Sequence, residues 1–138
     1  MTQPGCSDLH DERSASQSRW SLGIEPEVAF WRHWFATQGA DWPDDYFSRV
    51  DPLLPLQAFL LPYLGTDRAE VSILDVGSGP LTFLGKTHPD LTIHLTAVDA
   101  LADAYTQIMI EAGLTPLVAV QACETERLTE RFAPQSFD

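Results

Sequence analysis

From Ile24 to Gln38 the apolar residues Ile24, Val28, Trp31, Trp34 and Phe35 recur at helical spacing. The spacing predicts a helix with Pro26 in its first turn, where a missing N–H costs nothing, and Gly39 as its stop. Residues 1–19 carry no such pattern. They are rich in Ser, Gln and acidic side chains and read as a disordered, mobile tail, with ordered structure expected near Trp20. Asp41-Trp42-Pro43-Asp44 opens a second short helix, ending before Asp51-Pro52. Pro55 to Leu64 reads as a third, ended by Gly65.

The period then changes. Val71-Ser72-Ile73-Leu74-Asp75-Val76 is a β-rich apolar run bounded by Gly77. Pro80 to Lys86 reads as a short helix, Leu91 to Val98 as a second strand, and Ala102 to Ala112 as a helix closed by Gly113. Pro116 to Ala122 is the third strand and Thr125 to Phe132 a helical turn. Phe137-Asp138 has the character of the start of a fourth strand. Strands alternating with helices predict an α/β chain with a parallel sheet, which right-handed crossovers order 3-2-1.

Composition narrows the function classes. The 138 residues carry a formal net charge of −12, with 44 % hydrophobic and 20 % charged residues. Such a balance argues against a nucleic-acid or anionic-membrane surface, because both need basic patches. No apolar run reaches the roughly 20 residues that span a bilayer, and Met1 to Arg19 lacks the apolar core of a signal peptide. Cys6 and Cys123 lie far apart with no Cys/His cluster around them, so neither a disulfide framework nor a zinc site is expected. A reducing cytoplasm is the natural compartment.

The chemistry concentrates at the strand ends. Ile73-Leu74-Asp75-Val76-Gly77-Ser78-Gly79-Pro80 sets a carboxylate at the end of a strand and two glycines in the turn after it. Glycines there let backbone approach a ligand as no side chain could. The competing view is an ordinary βα turn whose glycines serve geometry alone. Ala97-Val98-Asp99 puts a second carboxylate at the end of the second strand, placed either to accept ribose hydroxyls or to cap the following helix. Ala122-Cys123-Glu124-Thr125 follows the third strand.

Taken in this order and spacing, residues 70–138 resemble the first part of class I S-adenosylmethionine-dependent methyltransferases, whose first motif is acidic-x-Gly-x-Gly-x-Gly. Leu81 stands at the third glycine position. The resemblance implies a Rossmann-like methyltransferase fold with S-adenosylmethionine as cofactor. Asp75, Gly77, Ser78 and Gly79 would surround the methionine portion, Asp99 and Ala100 would meet the ribose, and Glu124 and Thr125 the adenine. It further implies a basic residue upstream on the methionine carboxylate, for which Arg49 is the candidate against a plain surface arginine. Residues 20–66 would be a helical lid or substrate region, and residues 67–138 the first half of the cofactor domain, cut after the third strand. The acceptor is expected to be a small molecule, no catalytic base stands out, and no metal is expected. A chain ending there is expected to be inactive alone and to self-associate through the open edge of the first strand. Two other readings stay open: a nicotinamide-dependent Rossmann oxidoreductase, and a non-catalytic binding or interaction module.

Overall fold

The computed structural model describes residues 8–65 and 67–138, with side chains from Leu22 onward. Cys6 and the first part of the expected tail lie outside the described residues. The architecture is mixed α/β: helices packed on a small parallel sheet.

Helix α1 runs from Asp8 to Ala36, so helix begins well ahead of the expected start near Trp20. The segment lacks an apolar face but contains good helix formers such as Glu12, Arg13, Ala15 and Gln17. Once a helix is fixed by packing further along, propagation adds one hydrogen bond per residue at little cost. Pro26 accordingly stands inside α1 rather than in its first turn. Its missing N–H leaves the carbonyl of Leu22 without the usual partner. The apolar stripe behaves as its spacing predicts: Trp34 and Phe35 are buried, and Val28 and Trp31 pack beside them. Helix α2 spans Pro43–Val50 with Pro43 in its first turn. The third expected helix is instead a 3-10 helix confined to Ala58–Tyr63, with Pro62 inside it.

Strand β1 (Glu70–Val76) pairs in parallel with β2 (Thr92–Asp99), from Glu70 opposite Thr92 to Val76 opposite Val98. Helix α3 (Ala102–Glu111) leads to β3 (Val120–Ala122), which pairs in parallel with the last three residues of β2. The order β1-β2-β3 is the one expected. Strand β3 is much shorter than the Pro116–Ala122 run, since its only register is with Ala97–Asp99. A single 3-10 turn (Thr125–Arg127) and the short helix α4 (Leu128–Arg131) follow.

The helix expected over Pro80–Lys86 does not form: residues 77–91, all described, make turns and one isolated bridge, Pro55 to Thr87. The reason is a competing set of contacts. Leu56 N–H donates to Thr87 O (2.8 Å) and Lys86 N–H to Leu54 O (2.7 Å), so the segment lies alongside residues 54–56. A Cβ at Gly85 would stand 2.0 Å from Pro55 O, so this approach requires glycine.

Phe137-Asp138 is not assigned to a strand, yet it lies along β1. Asp138 N–H donates to Ser72 O (2.9 Å), Ser72 N–H donates to Asp138 Oδ2 (2.8 Å), and Arg68 pairs with the same carboxylate. Thr92 N–H donates to Ala69 O, so Ala69 faces β2; by alternation Ser72 faces the opposite edge. That edge is therefore partly covered.

Two apolar clusters hold the elements together. Trp34, Phe35, Tyr46, Leu81, Tyr105, Ile108 and Met109 join α1, α2, α3 and the segment after β1. Leu56, Leu64 and Val71 form the second, with Ile73 and Ile93 beside them. Val71 and Ile73 are alternate positions on β1, so they share one face of the sheet.

Candidate functional site

The site is built at the carboxyl ends of β1 and β2. Gly77 and Gly79 both have φ in the left-handed region, +71° and +67°, which turns the chain back over β2. The turn is fastened by its own donors. Gly77 N–H and Ser78 N–H donate to Val98 O (2.8 and 3.2 Å), and Gly79 N–H donates to Asp99 Oδ2 (3.0 Å). All three amides thus point into the protein. An added Cβ at Gly77 would meet nothing, so open space faces this residue. At Gly79 it would come within 3.1 Å of the Trp31 ring, so α1 closes that side.

Asp99 ties three elements at once. Its Oδ2 accepts from Gly79, its Oδ1 accepts from Leu101 N–H (2.9 Å) ahead of α3, and its carbonyl accepts from Cys123 N–H (3.1 Å) past β3. Asp75, half-buried at the end of β1, accepts a 2.5 Å hydrogen bond from the Thr82 hydroxyl. Thr82 is only 2 % exposed, and its oxygen in turn accepts from Leu84 N–H (3.1 Å).

The site residues expected from the sequence fall in three places. Asp75, Gly77, Ser78, Gly79, Asp99 and Ala100 gather around the turn. Ala100 also lines a cleft of about 390 Å³ at the carboxyl ends of β2 and β3, together with Cys123, Glu124, Arg127 and Arg131. Thr125 is adjacent in sequence but outside that lining. Arg49 is not on this cleft. Its Nη1 donates to Leu81 O (2.8 Å), its Nε to Asp45 (3.0 Å), and the guanidinium lies 5.6 Å from the centre of the Trp31 ring. It therefore anchors the segment after the glycine turn, beside a separate small cavity of about 40 Å³ that Thr82 and Lys86 also line. Burial holds the Lys86 ammonium below the ordinary lysine range, and its Nζ donates to Arg49 O in the last turn of α2 (3.1 Å).

Two features of the site carried no sequence signal. Thr82 follows the glycine turn with no periodicity to mark it. Tyr105, 1 % exposed, donates to Glu27 Oε1 at 2.6 Å and so docks α1 on α3. Burial first, then this bond and the nearby Asp99, push its phenol far above the ordinary tyrosine range. Nothing in the sequence pairs Glu27 with Tyr105, which lie 78 residues apart. Among the described residues no three His, Cys, Asp or Glu side chains gather as a metal site, and no helix is long and apolar enough to cross a membrane.

Comparison of the chain with family models, with curated proteins and with solved structures gives no match.

Proposed function

We propose that the chain binds S-adenosylmethionine at the turn after β1 and serves methyl transfer to a small-molecule acceptor still to be identified, within a Rossmann-like methyltransferase fold. The observation that carries this reading is the polarity of the turn. Its three amide donors, Gly77, Ser78 and Gly79, are all engaged inside the protein, and the side chains flanking it are the carboxylates of Asp75 and Asp99. A surface with acceptors to offer and donors withdrawn suits a cationic ligand, such as an amino acid ammonium beside a sulfonium. It repels a pyrophosphate, which needs free N–H groups and a helix N-terminus. No helix follows this turn within residues 77–91. The engaged amides favour the cationic ligand over a nicotinamide dinucleotide.

The residues fit the cofactor as follows. Each Asp99 oxygen already accepts one hydrogen bond and retains a second lone pair for a ribose hydroxyl. No atom lies within 4 Å of a Cβ added at Gly77, and the methionine portion would take this open side. Ala100 and Glu124 border a cleft of a size to take a purine. When bound, the cofactor supplies a methyl group on a sulfonium whose leaving group is a neutral thioether. The chain's task is then to hold the reacting groups in line and keep water out. Arg49 serves this reading by fastening Leu81, two residues past the glycine turn.

Calorimetric titration tests the proposal. S-adenosylmethionine and its demethylated product should bind and NAD should not. Asp75→Asn keeps the shape and removes the charge. It should weaken S-adenosylmethionine by about tenfold, the difference between a charge-assisted and a neutral hydrogen bond. Binding of NAD in preference to S-adenosylmethionine sinks the proposal.

A further inference from the structure

Resting on the reading above, we infer that Thr82 is a positioning residue: its hydroxyl fixes the Asp75 carboxylate for an ammonium-bearing ligand. Asp75 sits at the last turn of the pleat before the glycines, where a carboxylate otherwise rotates freely about its terminal torsion. Thr82 removes that freedom. Its hydroxyl has one proton, and that proton goes to Asp75 Oδ2 at 2.5 Å, within the range of a short charge-assisted O–H···O⁻ bond.

The direction of the bond is set by its surroundings. Leu84 N–H donates to the same hydroxyl oxygen at 3.1 Å, so Thr82 acts as acceptor toward Leu84 and donor toward Asp75. At 2 % exposure, water does not compete for the proton. The hydroxyl itself is held by its neighbours: Arg49 grips Leu81 O on one side, and Gln57 donates to Phe83 O (2.7 Å) and accepts from Gly85 N–H (2.9 Å) on the other. With no helix to carry the segment after the turn, these ties set where Thr82 stands. One Asp75 oxygen is thereby committed to Thr82, and the other, Oδ1, is left to meet a ligand cation.

The test compares S-adenosylhomocysteine, which carries the ammonium, with 5′-methylthioadenosine, which lacks the amino acid portion. In Thr82→Val the first should lose about tenfold in affinity and the second less than twofold, and Thr82→Ser should restore the first. Equal loss of both ligands, or loss of neither, overturns the inference, because a merely structural role does not distinguish them. The wild-type protein gives a readout that needs no variant and no ligand. The Thr82 hydroxyl proton should exchange slowly enough to be seen by proton NMR and should shift in Asp75→Asn; absence of that resonance overturns the inference. If the wild-type chain binds neither compound, the methyl-transfer reading falls, and the hydroxyl resonance alone decides whether Thr82 holds Asp75.

Discussion

The two connections between parallel strands are built by opposite means. From β2 to β3 the chain goes through α3, whose Ala102, Tyr105, Ile108 and Met109 are buried at helical spacing. From β1 to β2 it goes through residues 77–91, which form no helix and are pinned point by point: Thr82 to Asp75, Arg49 to Leu81, Gln57 to Phe83 and Gly85, and Thr87 to the backbone of residues 54–56. A helical crossover satisfies its own backbone and needs only an apolar face. An irregular one must borrow partners from elsewhere, because buried backbone groups cannot be left unpaired. The segment after the glycine turn is thus held by α2 and the residues beyond it, while the turn's own amides are consumed on Val98 O and Asp99 Oδ2 at the end of β2. This is why the site offers acceptors instead of donors.

The sharpest way to break the comparison is to damage each connection by its own logic. Ile108→Ala leaves a cavity under α3, where the lost side chain is 1 % exposed. It should cost about 3–4 kcal/mol in urea unfolding while leaving the turn's ligand preference unchanged. Gly85→Ala removes no contact but drives a methyl group into Pro55 O. The backbones must part, which should cost about 2–3 kcal/mol and loosen the turn as well, so that ligand affinity falls with stability. A Gly85→Ala protein with full stability would mean that the crossover is not pinned against residues 54–56.

The same contrast explains what could be read from the chain. Strands β1 and β2, helix α3 and the positions of Asp75 and Asp99 were legible because each rests on local pattern: alternating or helical apolar spacing, and acids at strand ends. Pro80–Lys86 imitated a helix, since Pro80 suits a first turn and Leu81 and Leu84 are three apart. Both leucines are indeed buried, but by an irregular path that depends on Gly85 meeting Pro55. Pro55–Leu64 contracted to a 3-10 helix for a related reason, as Pro55 is drawn into the bridge with Thr87. The partners of the site residues were hidden in the same way. Asp75 and Thr82 are close in sequence but joined only by that path, and Glu27 and Tyr105 come from separate helices.

The smallest effect expected is on pH dependence, and it sharpens the account of how α1 is docked. The Tyr105 phenol donates to Glu27, with Asp99 and Trp31 also near it, and burial is the largest reason its proton is held. In the unfolded chain the phenol ionises at an ordinary pKa of about 10. Above that pH the unfolded state binds fewer protons than the folded one, so stability falls as pH rises; below it, this contribution is fully present. Lys86 works the other way. Its folded ammonium is held below the usual range, so stability rises with pH between that lowered value and the ordinary lysine value. The two slopes oppose each other at alkaline pH, and Tyr105→Phe separates them. At neutral pH the variant should lose about 1.5–3 kcal/mol, the worth of a hydrogen bond to a charged group. Between pH 9 and about 11 it should lose less further stability than the wild type does. Tryptophan fluorescence during urea unfolding measures both, since Trp31 and Trp34 lie in the cluster that Tyr105 shares. The same alkaline slope in both proteins would place the pH sensitivity away from the Tyr105–Glu27 bond, and the docking of α1 would then rest on the packing of Trp31, Trp34 and Phe35 and on the Arg32–Glu111 ion pair.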